Sequence, residues 1–156
     1  GAVFLAIWPP DRGGGADTWR GRAVFALVFA PLGCLARFYV SILLNSRLPS
    51  FPLGTFAVNM LGTAVEGLCY DLQHVAGLGA VAPAALTGCQ VLQGVMDGFC
   101  GSLTTISTWV AELNGVATRR HAYLYGAVSV GGGLGLLVVI MGSLLWTKGF
   151  DEPVCG

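Results

Sequence analysis

Four apolar stretches, at about 23–44, 54–72, 82–113 and 123–146, are each long enough to cross a lipid bilayer as a helix. A hydrocarbon core of about 30 Å takes roughly 20 helical residues. Turn-forming clusters separate the stretches. Asn45, Ser46, Arg47, Pro49 and Pro52 follow the first, His74 and the glycines around 77–79 the second, and Asn114, Gly115, Arg119 and Arg120 the third. Only 10% of the residues are charged, the formal net charge is zero and the mean hydropathy is +0.73. So few charges leave too little polar surface for a soluble domain. The lack of a net basic face excludes a nucleic-acid binder, and the apolar content excludes a disordered chain. The expected fold class is an all-α membrane protein with four transmembrane helices.

The third stretch is the unusual one. At 32 residues it is too long for a single span, and its centre, Asp97–Trp109, holds two glycines and five hydroxyl residues. Both residue types weaken a helix interior. The stretch reads as two half-helices broken near Gly101. Non-helical backbone at membrane depth persists only where protein buries it or water lines it, and it frees carbonyls and amides to hold an ion. A kinked packing helix is the plainer reading of the same residues.

Polar groups inside the spans fall on shared faces. Thr55, Asn59, Thr63 (or Gly62) and Glu66 form a stripe on the second helix. On the third, Thr87, Gln90, Gly94, Asp97, Gly101, Thr104 (or Thr105), Thr108 and Glu112 recur every three to four residues. On the fourth, Tyr125, Ser129 and Gly133 are four apart. Hydrogen-bonded helix packing is the bland explanation for any one of these. Gly131, Gly132, Gly133 and Gly135 are expected to give the fourth helix a small face for close contact. The five cysteines have no C-x-x-C pair and read as small buried hydrophobes.

The chain divides into 1–8, an apolar segment too short to span and read as the tail of a preceding transmembrane helix; 9–21, a Gly-rich loop; 22–147, the four-helix domain; and 148–156, a polar tail. Arg12, Arg20, Arg22 and Lys148 fall on one side of the membrane and Arg47, Arg119 and Arg120 on the other, a bias of four to three. So weak a bias permits insertion either way up and invites antiparallel pairing with a second similar domain.

The in-span chemistry favours an anion. The two histidines, His74 and His121, lie near helix ends, with no metal-ligand spacing. Glu66, Asp97 and Glu112 sit at different levels. The pore-type groups are amide and hydroxyl donors, Asn59, Thr105, Thr108, Tyr125 and Ser129, and donors solvate anions. Aromatic ring edges are electropositive as well. Arg37, in the first helix, either snorkels to the interface or draws anions to a vestibule.

Several strings resemble one family. Pro52-Leu-Gly-Thr-Phe-Ala-Val-Asn59-Met-Leu-Gly62 is similar to the second-helix signature of the CrcB/Fluc fluoride channels. Gly98-Phe-Cys-Gly101-Ser-Leu-Thr-Thr-Ile-Ser-Thr-Trp109 resembles their broken third helix, G-x-x-G-x-x-T-T-F-S-T-F. Gly33-Cys-Leu-Ala-Arg37 and Tyr125-x-x-x-Ser129 match first- and fourth-helix patterns in order and spacing. Within the family the chain looks most like the second domain of the fungal-type fluoride export proteins, in which an extra helix joins two such domains.

The resemblance implies a fluoride-selective channel domain at the plasma membrane, passing fluoride passively and acting as no enzyme. Its partner would be a second Fluc-like domain, upstream in the same chain or in a homodimer. Asn59 would donate to fluoride, with Thr55 on the same stripe toward one mouth. Tyr125 and Ser129 would belong to a polar track, Glu112 to the pore end and Arg37 to a vestibule. Ile106 and Trp109 stand at the two motif phenylalanines, and Gly133 where the bacterial track continues with a hydroxyl. Gly101 and Thr104 would offer backbone carbonyls to a structural sodium ion at the dimer interface. Two other classes stay open: a non-conducting half that completes its partner's pore, and a small proton-coupled multidrug antiporter using Glu66.

Overall fold

The computed structural model describes residues 19–48, 50–74, 82–147 and 149. The expectations for 1–8, for most of the 9–21 loop, for the turn after the second helix and for all but one residue of the tail lie outside them. So does the side chain of Thr87.

Among the described residues every regular element is a helix. Helix α1 runs Trp19–Asn45 and α2 Leu53–Gln73. The third stretch begins as α3, Ala82–Gly94, widens into a π-helical turn, Val95–Cys100, and ends in a short α-turn, α4, Gly101–Leu103. After Thr104–Ile106 it resumes as α5, Ser107–Gly115, and α6, Arg119–Thr147, completes the bundle. Helix α1 starts at Trp19 and so takes up the last residues assigned to the loop; α6 starts at Arg119 rather than near 123. Its end is marked by Gly149, whose φ of +77° suits a glycine. The Gly149 N–H closes onto the carbonyls of Leu144 and Leu145.

Helices α1 and α6, each with an exposed apolar flank, are long and apolar enough to cross a bilayer. Leu27, Tyr123, Leu134 and Trp146 are among their exposed side chains. Such a surface is at home against lipid or another apolar chain, not in water. Inside, the bundle buries Phe25, Val58, Cys100, Leu103 and Tyr125.

The third stretch is broken, as its length and composition foretold, but not at Gly101. Gly101 keeps ordinary right-handed helical angles, φ −61° and ψ −31°, and the chain leaves the helix at Thr104, with φ −73° and ψ 155°. The glycines before the break serve another purpose: close approach. A Cβ on Gly98 would run into the Ala26 backbone of α1, and one on Gly33 of α1 into the Phe99 carbonyl. Small residues thus let α1 lie directly on the π-helical turn, the contact membrane helices favour.

The fourth helix differs from expectation here. Among the described residues a Cβ at Gly131 or Gly135 would meet nothing, while Gly132 and Gly133 approach α2 through Met60 and Phe56. A run of glycines shows which residues permit contact, not which face a neighbour occupies. The cysteines also divide: Cys69 and Cys100 are buried, Cys34 is exposed and Cys89 is disulfide-bonded.

These contacts separate two glycine classes. Gly98→Val should destabilise the fold by about 1–3 kcal/mol or more, as overpacking does, and lower the thermal midpoint in detergent. Gly135→Ala should hold or raise it. Equal midpoints for both variants would refute the close approach of α1 to the π-helical turn.

Candidate functional site

The break is built by threonines and one asparagine. The Thr104 hydroxyl and N–H both donate to the Cys100 carbonyl, at 2.9 Å each, closing off the last turn of the first half-helix. Thr105 then turns its backbone to α2. Its N–H donates to Asn59 Oδ1 at 2.8 Å, and its carbonyl accepts from Asn59 Nδ2 at 3.2 Å. One side chain therefore satisfies both backbone groups of the residue at the break. The Thr105 hydroxyl accepts from the Thr108 N–H at 3.4 Å, as a helix-capping hydroxyl does, and donates to Thr108 Oγ1 at 3.2 Å. Gly62 lets α2 come close, since a Cβ there would strike Thr104 Cγ2.

These bonds divert two N–H groups from their helical acceptors. In an α-helix the Thr105 N–H would serve the Gly101 carbonyl and the Thr108 N–H the Thr104 carbonyl. Both go elsewhere. Gly101 and Thr104, the residues singled out for carbonyl ligation, thus lose their one-turn donors. Gly101 is exposed and Thr104 half-buried.

A groove of about 320 Å³ opens beside the break. Asn59, Thr105, Ile106, Trp109, Ser129 and Gly133 contribute to its lining, with apolar side chains of α2 and α6. One Asn59 Nδ2 hydrogen is spent on Thr105 and the other is not. Ser129 Oγ and Trp109 Nε1 are buried without a hydrogen-bond partner among the described residues. Leaving such a group unpaired costs about 1–3 kcal/mol. Ile106 is 77% exposed on the groove side.

Tyr125 and Thr55 belong to a separate cluster around Glu112. Thr55 Oγ1 donates to Glu112 Oε1 at 2.6 Å, Asn45 Nδ2 to the same oxygen at 3.2 Å, and Tyr125 OH to Oε2 at 2.9 Å. Thr55 and Tyr125 are fully buried. Charge-assisted bonds of this kind are stronger than neutral ones. Asn45 has a second task. Pro52 offers no capping side chain to α2, and Asn45 Oδ1 accepts from the N–H groups of Gly54 at 2.7 Å and Thr55 at 3.2 Å. Phe51 sets its ring edgewise to Tyr125 at 4.9 Å, and Trp109 lies 6.5 Å from Tyr125 on the groove side.

The site residues named from the sequence thus fall into groups. Asn59, Ile106, Trp109 and Ser129 share the groove; Thr55, Glu112 and Tyr125 share the carboxylate cluster. Arg37 is half-buried on α1 and does not line the groove. Asn45 was read only as a turn former. The uncapped start of α2 after two prolines was the signal that could have found it. A larger groove of about 500 Å³ lies at the α5–α6 turn, bounded by Leu113, Asn114, Arg119 and Tyr123, and holds none of the expected site residues.

Glu112→Gln would turn an amide donor toward a hydroxyl that now donates. It should cost about 1–3 kcal/mol, read as a lower thermal midpoint in detergent; an unchanged midpoint would show that the carboxylate does not hold α5 to α2 and α6.

Residues 24–143 match the family model described as CrcB-like protein, Camphor Resistance (CrcB). Fluoride export protein 1 of Neurospora crassa is 66% identical over 99% of this chain and 29% of its own length. Fluoride export protein 1 of Candida albicans is 42% identical over 86% of this chain and 34% of its own. The chain therefore spans about a third of these fungal relatives. The fluoride-specific ion channel FluC of Pseudomonas paraeruginosa is 34% identical over 84% of this chain and 98% of its own length. With a family model over most of its spans and a bacterial relative matched almost end to end, the chain belongs to the CrcB-like family.

Proposed function

We propose that this chain is a fluoride-conducting channel domain of the plasma membrane, paired antiparallel with a second domain of the same family. The observation that carries the proposal is the groove at the helix break. Asn59, Thr63, Thr105, Trp109 and Ser129 line it among apolar side chains, and one Asn59 amide hydrogen is unspent there. The names of the relatives, fluoride export protein and fluoride-specific ion channel, point to the same ion. The lengths of the fungal relatives leave room for a second such domain.

The task is to strip water from a small, strongly hydrated anion without leaving it bare. The donors replace water's hydrogen bonds one by one, and the apolar wall keeps bulk water from competing. No covalent step is involved. Asn59 does two things at once: its oxygen and one hydrogen hold Thr105 in place, and its remaining hydrogen serves the ion. The Glu112 cluster ties α5 to α2 and α6 and so fixes one wall.

The carbonyls of Gly101 and Thr104 suit a sodium ion, since hard cations take oxygen ligands and unwound helix carbonyls hold Na⁺ elsewhere. The diversion of the Thr105 and Thr108 N–H groups is what fits them for it. Such an ion would add positive potential and join the paired domains.

Asn59→Asp tests the reading. The carboxylate would repel the Thr105 carbonyl and remove the donor facing the ion. In liposomes holding the full-length protein, fluoride efflux through this pore should fall to the rate of protein-free vesicles. A folded variant that passes fluoride at the wild-type rate would overturn the assignment of this groove as the pore.

A further inference from the structure

We infer that the groove at the α5–α6 turn binds an anionic phospholipid, with its phosphate held at Arg119 and an acyl chain laid along α6. The site does not depend on the channel reading; it asks only that α6 cross a membrane. At about 500 Å³ the groove is larger than the one beside the break, and the two share no lining residue.

Its place along the helix sets its depth. Arg119 is the first residue of α6, a helix long and apolar enough to span. The groove therefore opens at the end of a span, at the level of lipid headgroups. From there it runs inward about two turns, to Gly126 and Ala127, roughly 12 Å along the axis. On the adjoining flank Leu124 and Val128 are exposed and apolar. Tyr123 is exposed as well, and an aromatic ring with a hydroxyl is the side chain that marks a membrane–water boundary.

The lining carries charge of one sign. Arg119 is its charged residue, and no carboxylate accompanies it among the described residues. Arg120 follows and is exposed. Glu112, the nearest carboxylate in sequence, has its oxygens engaged by Thr55, Asn45 and Tyr125. A guanidinium forks onto phosphate oxygens. Deeper in, the wall is Leu113, Ala122, Gly126 and Ala127, small or apolar throughout. Such a floor accepts a hydrocarbon tail and offers nothing to a free phosphate. A basic pocket between helix ends with an apolar floor is the pattern that recognises anionic lipid. A choline lipid brings its own cation toward Arg119 and gains less.

The test is native mass spectrometry of the full-length protein in detergent, titrated with dioleoylphosphatidylglycerol, dioleoylphosphatidylcholine or water-soluble glycerol phosphate. Phosphatidylglycerol should bind at lower concentration than the choline lipid, and glycerol phosphate should not displace it. Arg119→Gln should weaken phosphatidylglycerol binding about tenfold, the loss of one charge-assisted hydrogen bond. Arg47→Gln, at an exposed arginine that does not line the groove, should leave it unchanged. Ala127→Leu, which fills the inner end, should weaken both lipids. Equal binding of the two lipids, or undiminished binding by Arg119→Gln, overturns the inference. Displacement by glycerol phosphate overturns it too, and marks a phosphate site without a lipid tail. Wild-type protein that takes up no phosphatidylglycerol overturns it in favour of a second domain covering this face.

Discussion

The structure depends on one paired hydrogen bond: the side-chain amide of Asn59 against the backbone amide of Thr105. A chain that leaves its helix inside a bilayer exposes peptide groups where no water can reach them, at several kcal/mol each. The Asn59 amide repeats the geometry of a peptide group, donor and acceptor side by side. It can therefore stand in for the missing helical partners on both sides of one residue. With that contact in place, the third stretch can end at Thr104, turn and restart at Ser107 without an unmet backbone group at Thr105.

The consequences run outward from that point. Because Asn59 and the Thr105 hydroxyl take up N–H groups, carbonyls on the other face of the break are released. Because α5 restarts in a new direction, Trp109 reaches the groove and Glu112 reaches the buried hydroxyls of Thr55 and Tyr125. The carboxylate cluster and the groove are separate, but share the two rings of Trp109 and Tyr125 at their boundary. One supplies rigidity through a charge surrounded by donors; the other keeps its donors unspent. Side chains of the same type, hydroxyl and amide, thus serve opposite ends according to whether an acceptor stands beside them.

Much of this was legible in the sequence. The four spans and the broken third one follow from stretch length and hydroxyl content, and the membrane setting from the scarcity of charge. The break was expected near Gly101, with glycine as the breaker, and falls three residues on, at Thr104. Gly98 instead admits the α1 backbone, and the chain departs where threonine hydroxyls and Asn59 can close the open ends. That substitution of roles is a tertiary contact between residues 46 positions apart, and no local pattern records it. Tyr125 and Ser129 share a helical stripe, yet one meets Glu112 and the other the groove. One helical turn, about 5.4 Å, is enough to separate a structural bond from a free donor. The π-helical turn was likewise unforeseen; it lies where Gly98 meets the α1 backbone at Ala26.

Amide hydrogen exchange at Thr105 tests the central contact most directly. In the intact protein the Thr105 N–H should exchange slowly, alongside Cys100–Leu103. In Asn59→Ala it should exchange much faster while its helical neighbours stay protected. Equal protection of Thr105 in both proteins would mean that something other than Asn59 holds the break together.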